Sequence, residues 1–291
     1  MRANYRIYLN KEFQELIKNE YLVKYKTIAE ISDEFKYSKQ LIGKTIKFLG
    51  INKSNQNPGR RRKFKVNDDF FNKINSEQSA YFLGLLYADG NVSSSDNRIL
   101  IRLQERDKEI LDKLNELIYL DRDRPLLYER RKDKNPTFSN TYCFSVQSSV
   151  MKRDLIKLGC HPNKKQTLRF PTFDQVPREY MRHFLRGFFD GDGNIYYTIS
   201  EGKYLRPILR FFSNETLSNQ IYEFLNCELS LKASIFSDPR TLSWTCRTTG
   251  QKNISMFYTY FYNGASLFLE RKKEKFEEIF ANKFFNPTLL P

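Results

Sequence analysis

The sequence predicts an α+β fold in which a small all-α domain precedes two pseudo-symmetric units of element order αββαββα, each with an antiparallel sheet. The first observation is an internal repeat, since the stretches Phe82–Gly90 and Leu185–Gly193 are nearly the same. Each is an apolar helical run that ends in aspartate and glycine, and a similar order of strands and helices follows each copy. The second observation is that residues 1–52 show helical spacing of apolar residues throughout. A helical domain followed by two repeated α+β units is therefore expected.

The repeated stretches carry small residues at a spacing that favours close packing of two helices. Residues four apart share a helix face, which pairs Gly84 with Ala88 and Gly187 with Gly191. If the helices pack through these faces, Asp89 and Asp192 end side by side. Two adjacent carboxylates in a basic protein favour a site for hard divalent cations beside phosphates. The alternative is that each carboxylate only caps a helix end or is solvated.

Residues 1–52 contain the cap residues of three successive helices. Asn10 precedes the first helix, Thr27 and Glu30 form the capping box of the second, and Ser38 precedes the third. The short turn before the third helix is the plan of a helix-turn-helix domain, whose last helix enters the major groove of DNA. The side chains of that helix expected to contact DNA are Lys39, Gln40, Lys44 and Lys47. The alternative is a helical hairpin that only packs on the rest of the chain.

A polar and basic segment, residues 53–69, separates this domain from the repeats. After a Pro-Gly turn it has three successive arginines, Arg60, Arg61 and Arg62. We expect this segment to lie along the DNA backbone or in a minor groove, with a solvated tether as the alternative. The predicted domains are 1–52, 53–69, 70–172 and 173–291.

Downstream of the repeated stretches the sequence predicts matching strands, Arg98–Gln104 in the first copy and Arg206–Phe212 in the second. Tyr142–Phe144 and Thr245–Arg247 match as a further strand pair, and the last helix is expected at about Leu267–Phe284. Successive side chains of a strand point to opposite faces, so one face of each sheet should be basic and cover DNA. The arginines on these faces are Arg98, Arg102, Arg206 and Arg210. Ordinary alternation of polar and apolar faces is the alternative.

The composition favours a polyanionic partner. Of the 291 residues, 49 are Lys or Arg and 34 are Asp or Glu, which gives a net charge of +15. Nucleic acid is the first choice and an acidic membrane surface the second, but no apolar run reaches the ~20 residues of a membrane span. The N-terminus lacks the apolar core of a signal peptide, and the four cysteines show no paired spacing. We therefore expect a cytoplasmic protein with reduced thiols. That a bacterium or a phage encodes it is a separate expectation, which the composition does not supply.

The stretches Phe82–Gly90 and Leu185–Gly193, about a hundred residues apart, resemble the nine-residue signature of the single-chain LAGLIDADG homing endonucleases. The stretches Gln104–Leu114 and Leu267–Phe276 are also similar to the family, and the resemblance covers about residues 70–285. It implies a monomeric, metal-dependent endonuclease that cuts both strands of a long, specific double-stranded DNA site. The additional N-terminal domain would lengthen the contact with DNA.

The resemblance also implies roles for particular residues. Asp89 and Asp192, with Gly90 and Gly193 beside them, would bind two or three Mg²⁺ ions whose bound waters attack the two scissile phosphates. The sequence does not decide which of two adjacent lysines lies near the metals in the first repeat. The supporting polar residues would be Gln104, Lys272 and either Lys165, which we assign, or Lys164.

Two positions differ between the copies. The sixth position of the signature is usually acidic in this family, and it is Asp190 in the second copy but Tyr87 in the first. Near the end of the matching strands, the first copy has Gln104 where the second is aligned with Phe212. These differences predict unequal water organisation in the two half-sites and unequal cleavage rates for the two strands.

Two other functions are compatible with the same resemblance. One is an RNA-binding maturase that assists intron splicing, and the other is a regulator that binds DNA without cleaving it. The presence of both Asp89 and Asp192 argues against the regulator. Nothing in the sequence excludes a maturase activity alongside cleavage.

Overall fold

The computed structural model describes residues 7–24, 26–51, 64–121, 124–131, 133, 135–238 and 243–291. The chain forms two compact units, one within residues 1–63 and one within residues 64–291. The predicted basic linker with Arg60, Arg61 and Arg62 lies outside the described residues, so its contact with DNA stays a prediction.

The N-terminal unit contains the helices α1 (Lys11–Lys18), α2 (Ile28–Phe35) and α3 (Lys39–Phe48). The predicted caps are confirmed: Asn10 accepts a hydrogen bond from the amide of Phe13 at 3.1 Å, Thr27 and Glu30 form a capping box, and Ser38 caps α3. The apolar faces of these helices meet in a small core of buried side chains, which comprises Phe13, Ile17, Tyr21, Ile31, Ile42 and Ile46.

The second unit contains the same element order twice, and the predicted α+β fold class is confirmed. The first repeat comprises α4 (Glu77–Asp89), β1 (Gly90–Val92), β2 (Arg98–Gln104), α5 (Lys108–Ile118), β3 (Leu127–Glu129), β4 (Thr141–Gln147) and α6 (Ser149–Lys157). The second repeat comprises α7 (Arg178–Asp192), β5 (Gly193–Ser200), β6 (Tyr204–Ser213), α8 (Glu215–Glu223), β7 (Ala233–Asp238), β8 (Ser243–Thr249) and α9 (Gln251–Phe261). A further helix, α10 (Glu270–Phe280), follows the second repeat.

The last helix, α10, is shorter than the predicted segment Leu267–Phe284, and that prediction is wrong at both ends. Leu269, immediately before α10, has extended backbone with φ −81° and ψ 118°. Its amide donates a hydrogen bond to the carboxylate of Asp190 at 2.8 Å, which holds it outside the helix. After α10 the chain turns back, with the amide of Phe285 bonded to the carbonyl of Asn282 at 2.8 Å.

Each repeat forms one four-stranded antiparallel sheet, with strand order β1-β2-β4-β3 in the first and β5-β6-β8-β7 in the second. The first hairpin of the second sheet is longer, because β5 and β6 have 8 and 10 residues where β1 and β2 have 3 and 7. The extra residues shift the correspondence between the two copies along the chain.

The strand registers correct two of the predicted correspondences. The glycine after each motif helix lies opposite a residue of the next strand, which pairs Gly90 with Ile101 and Gly193 with Phe211. Phe212 therefore corresponds to Arg102, and its predicted equivalence to Gln104 is wrong. Ile101 lies opposite Phe144, and Phe211 lies opposite Cys246, so the match of Tyr142–Phe144 with Thr245–Arg247 is also wrong by one residue.

The helices α4 and α7 pack on each other at the centre of the second unit. Residues 79–87 of α4 are all buried. A Cβ added at Gly84 would collide with the main-chain oxygen of Phe184, and one at Gly187 would collide with that of Tyr81. Glycine is required at both positions because the backbone of the other helix fills the space, which confirms the close approach predicted from the spacing. No helix in the described part of the chain is long and apolar enough to cross a membrane.

Candidate active site

The ends of the two motif helices bring one carboxylate from each repeat to their interface. Asp89 is the last residue of α4, and Asp192 is the last residue of α7. A Cβ added at Gly191 would collide with the side chain of Ala88 and lie 3.0 Å from Oδ2 of Asp89. The side chain of Asp89 therefore rests against the end of α7. The negative ends of both helix dipoles point to this place and favour a cation there.

Burial raises the pKa of both carboxylates. Burial raises the pKa of Asp192 to about 6, and the negative charge of Asp89 adds to this shift while Lys164 and Lys165 oppose it. Desolvation also raises the pKa of Asp89, although the outer side of this residue is open to solvent. A cation between the two groups would relieve their repulsion, so the pair favours cation binding.

One lysine from each repeat lies at the end of a motif helix. Lys164 donates a hydrogen bond to the main-chain oxygen of Gly90 at 2.5 Å, and Lys272 donates to the equivalent oxygen of Gly193. The structure thus makes Lys164 the counterpart of Lys272, which the sequence left open. Lys165, the residue that we assigned to the site, is exposed next to it.

The two lysines differ in their surroundings. Lys272 is buried, and its ammonium group lies 5.0 Å from the centre of the Phe189 ring. Burial, together with the neighbouring charge of Arg271, lowers the pKa of Lys272 to about 8. Lys164 is only half-buried. The lysine of the second repeat is therefore held in a drier place, and this burial favours its neutral form.

The oxygen atoms at the helix ends fit a hard divalent cation. Asp89 and Asp192 offer carboxylates, while the main-chain oxygens of Gly90 and Gly193, expected beside the metal, accept hydrogen bonds from the lysines. Across residues 7–291, as far as they are described, three or more His, Cys, Asp or Glu residues nowhere cluster as a metal site. Mg²⁺ suits a site with so few protein ligands, because it retains several of its waters. Gln104 lies exposed at the last position of β2.

Two charged residues beside Asp89 were not predicted as site residues. Nε of Arg271 lies 3.1 Å from both carboxylate oxygens of Asp107, which is buried. The charge of Arg271 lowers the pKa of Asp89, and the charge of Asp107 raises it. Asp107 precedes a helix and Arg271 precedes Lys272, but sequence spacing does not reveal a contact between residues so far apart in the chain.

The sixth position of the signature has different partners in the two repeats. Asp190 is fully buried and accepts hydrogen bonds from the hydroxyls of Tyr81 and Tyr262, at 2.7 and 2.5 Å, and from the amide of Leu269. Burial raises the pKa of Asp190. Tyr87 instead donates to the main-chain oxygen of the residue that caps α6, at 2.5 Å. Both residues anchor a motif helix within the protein.

A buried arginine of α7 joins the two motif helices. Arg186 donates to Oε1 of Glu77, the first residue of α4, at 2.6 Å. It also donates to two main-chain oxygens that precede α10, at 2.7 Å each, and its Nη2 lies 3.0 Å from Nδ1 of His183. In the first repeat, Ala80 and Leu83 occupy the positions equivalent to His183 and Arg186. This anchor is therefore specific to the second repeat, and the sequence analysis did not identify it.

The arginines of β2 lie on the face opposite its buried apolar residues, as predicted, whereas those of β6 share a face with Ile208, which is buried. The exposed ones are Arg98, Arg102 and Arg206. Arg102 also forms an ion pair with Glu129 of β3 at 3.0 Å. Arg210 is half-buried and donates to the hydroxyl of Tyr196. Both sheets thus present positive charge outward, and contact with DNA stays a prediction.

The polar side chains predicted to contact DNA from α3 are all exposed, and they are Lys39, Gln40, Lys44 and Lys47. The opposite face of α3 is buried through Ile42, Thr45 and Ile46. The N-terminal unit therefore presents a basic helix face, and binding of this face in a groove of DNA stays a prediction.

No protein-family model matches the chain. A stretch of 115 residues, 40% of the chain, is 29% identical to the DNA-directed RNA polymerase subunit Rpo1C of Methanocaldococcus jannaschii. The chain spans only 12% of the length of that protein. Sequence similarity alone therefore says little about this chain as a whole.

Similarity in structure extends much further. The homing endonuclease I-WcaI, solved bound to its DNA recognition sequence, matches with a TM-score of 0.53 and 14% identity over 77% of this chain and 98% of that chain. The I-LtrWI LAGLIDADG homing endonuclease, solved bound to target DNA, matches with a TM-score of 0.46 and 14% identity over 73% of this chain and 90% of that chain. Two repeats in one polypeptide, paired through their motif helices, give this chain the single-chain LAGLIDADG homing endonuclease fold.

Proposed function

We propose that the chain is a site-specific endonuclease that cuts both strands of duplex DNA with the help of divalent metal ions. The observation that carries the proposal is the pair of Asp89 and Asp192, one carboxylate from each repeat, at the interface of α4 and α7. The fold supports it, because I-WcaI was solved bound to its DNA recognition sequence. One chain supplies both carboxylates, so we expect a monomer to be active.

Asp89 and Asp192 would hold two or three Mg²⁺ ions. When bound, such ions activate water and stabilise the charge on the leaving oxygen of a phosphodiester. The protein's own contribution is to hold the two carboxylates together before a cation arrives. Gly191 is part of this arrangement, because any side chain there would displace Ala88 and crowd Asp89.

Lys164 and Lys272 would stabilise the negative charge that develops at the two scissile phosphates. Each ammonium group is held at a helix end by a main-chain oxygen, so its position is fixed before DNA binds. Charges that are already in place stabilise a transition state better than charges that must reorganise. The exposed Lys165 and Gln104 would add contacts to phosphate or to ordered water.

Duplex DNA would bind along the outward faces of the two sheets. Their arginines would contact phosphates and read base edges in the major groove. Residues 1–52 would add a contact through α3, linked by residues 53–69 to the repeats at 70–172 and 173–291. The net charge of +15 predicts an affinity that falls steeply with salt.

Selection of cleaved sites from a randomised duplex library tests the proposal. The protein is incubated with the library and Mg²⁺, and the cut ends are captured and mapped. We expect one long site that is cut on both strands a few bases apart, and no cleavage in EDTA. Binding without a cut in any divalent metal would indicate the non-cleaving regulator, and preference for structured RNA would indicate the maturase.

On the recovered site, Asp89→Asn should slow cleavage at least about a thousandfold, because the stabilisation that a bound metal supplies is worth several kcal/mol. Binding of the uncut duplex, measured by fluorescence anisotropy in EDTA, should change little. Asp69→Asn is the matched control, since it removes an exposed aspartate of the same unit. Wild-type cleavage rates in Asp89→Asn would contradict the assigned role.

A further inference from the structure

An ion pair whose charges act on Asp89 joins the first repeat to the segment that follows the second. Nε of Arg271, in the first turn of α10, lies 3.1 Å from both carboxylate oxygens of Asp107, which immediately precedes α5. The side chain of Asp107 is 5% exposed and that of Arg271 is 30% exposed. Nη2 of Arg271 also lies 3.5 Å from the main-chain oxygen of Asp190, in the last turn of α7. One guanidinium group therefore connects three elements.

The residue before α8 in the second repeat makes a neutral contact with the first repeat. Asn214 precedes α8 as Asp107 precedes α5, and its amide donates to the main-chain oxygen of Leu168 at 3.0 Å. The counterpart of Arg271 is Asn163, because each residue directly precedes the lysine at the end of a motif helix. The two repeats are thus connected by an ion pair at the start of α5 and by an uncharged amide at the start of α8.

The contact between Arg271 and Asp107 fixes the chain next to Lys272 and places a positive charge near Asp89. Arg271 is next to Lys272 in the chain, so fixing its side chain between Asp107 and α7 also fixes the turn that carries the lysine. Its guanidinium is one of the two cations that act most strongly on Asp89. Asn163 offers no comparable charge beside Lys164.

We propose that Arg271, held by Asp107, is a positioning residue that sets the geometry of one half of the active site and makes the two half-sites unequal. This inference rests on the proposed endonuclease function and gives a physical cause for unequal cleavage of the two strands. The expected cause, Gln104 against Phe212, is removed by the strand registers.

The test measures the cleavage rate of each strand separately. A duplex that contains the site recovered in the selection has a different dye at the 5′ end of each strand, and products are separated on denaturing gels. The double variant Asp107→Asn/Arg271→Asn removes both charges and introduces at these positions the residue type found before α8 and before Lys164. We expect the ratio of the two strand rates to change by about tenfold or more, the usual cost of losing a group that orients an active-site residue.

A matched control removes another ion pair, between Arg178 and Glu228 on the surface of the second repeat, with Arg178→Gln/Glu228→Gln. This control should leave the ratio of strand rates unchanged. If the double variant does not fold, as measured by thermal unfolding, Asp107→Asn alone decides, because it changes charge with little change in shape. Asp107→Asn alone should also change the ratio of the two strand rates.

The possible outcomes separate the inference from the function on which it rests. An unchanged ratio, or equal slowing of both strands, overturns the role of Arg271 while the endonuclease function stands. A wild-type protein that cuts neither strand of any library member overturns the proposed function, and this inference with it.

Discussion

The motif helices of the two repeats are alike where they touch and different where they are anchored. At the contact, Gly84 and Gly187 are each closed in by the backbone of the other helix. Away from it, Asp190 anchors α7 through three hydrogen bonds, whereas Tyr87 anchors α4 through one. Pseudo-symmetry is thus strict where two backbones must fit together. It is relaxed where a side chain only has to reach a partner nearby.

The contact between α4 and α7, where the two repeats are alike, predicts the largest effects on stability. Gly84→Val and Gly187→Val should each lower the free energy of unfolding of the second unit by more than about 3 kcal/mol. The reason is that the added atoms collide with a main-chain oxygen, which cannot move unless the helices separate. Urea unfolding followed by the fluorescence of Trp244, the one tryptophan of the chain, measures this change.

Gly43→Ala is the control for these two variants, because an added Cβ there meets no described atom within 4 Å. It should leave the Trp244 transition unchanged. Clearly different losses at Gly84 and Gly187 would break the comparison, since the contact would then not be symmetric.

The anchors of α7 predict the next largest effect. Asp190→Asn replaces two acceptor oxygens by one, so the buried donors Tyr81, Tyr262 and Leu269 can no longer all be satisfied. We expect a loss of about 3 kcal/mol, from one or two buried donors left without a partner. The same fluorescence measurement detects it, and wild-type stability would show that this carboxylate is not an anchor.

His183 should make the free energy of unfolding depend on pH. The first repeat has no such group at this position, because Ala80 occupies the place of His183. Burial, then the charge of Arg186, lowers the pKa of His183 to about 4. Its ring nitrogens lie 3.2 Å from Nε of Arg182 and 3.0 Å from Nη2 of Arg186, so a protonated ring would face two cations, which Glu77 at 3.8 Å offsets only in part. In the unfolded chain His183 gains a proton near pH 6.5, and in the folded chain it does so near pH 4. The stability that depends on neutral His183 is therefore fully present above pH 6.5 and is lost as pH falls towards 4.

Between pH 7 and pH 5, His183 should therefore reduce the stability of the second unit by about 2 kcal/mol. The other titrating groups are the same in His183→Gln, so the variant should lose about 2 kcal/mol less than the wild type over this interval. Urea unfolding at the two pH values provides the comparison. Equal losses in the two proteins would show that the histidine accepts a proton in the folded state.

The features of the fold that were predicted correctly depend on neighbours in the sequence. The capping box at Thr27, the alternation in β2 and the glycines of the motif helices each express a local rule of backbone or side-chain geometry. The positions of Phe212 and of the start of α10 depend instead on the length of a hairpin and on a hydrogen bond to Asp190. Periodicity contains no information on either, which is why those predictions failed.

The same division holds in the candidate site. Asp89 and Asp192 could be placed together because small residues on one helix face favour a helix pair, and the last residues of the two helices meet if both run in the same direction. The choice of Lys164 over Lys165 and the contact of Arg271 with Asp107 depend on the folded path of the chain. The sequence therefore predicts which carboxylates meet, and the fold determines which cations surround them.

The anchor of α4 predicts the smallest effect. The hydroxyl of Tyr87 donates to the main-chain oxygen of Leu158 at 2.5 Å and lies against Gly159, whose φ is 89°. Tyr87→Phe removes this one hydrogen bond, while the edge-to-face contact of the ring with Phe184, at 5.0 Å between centres, can remain. We expect a loss of about 1 kcal/mol, the usual net value of one hydrogen bond.

Urea unfolding followed by Trp244 fluorescence measures the free energy of unfolding of Tyr87→Phe, which can then be compared with that of Asp190→Asn. A loss as large as that of Asp190→Asn would mean that both helices depend equally on their sixth signature residue. No loss would mean that the ring alone anchors α4. An intermediate loss of about 1 kcal/mol would show that a tyrosine can replace the usual acidic residue here, because α4 needs only one donor and α7 needs an acceptor for three.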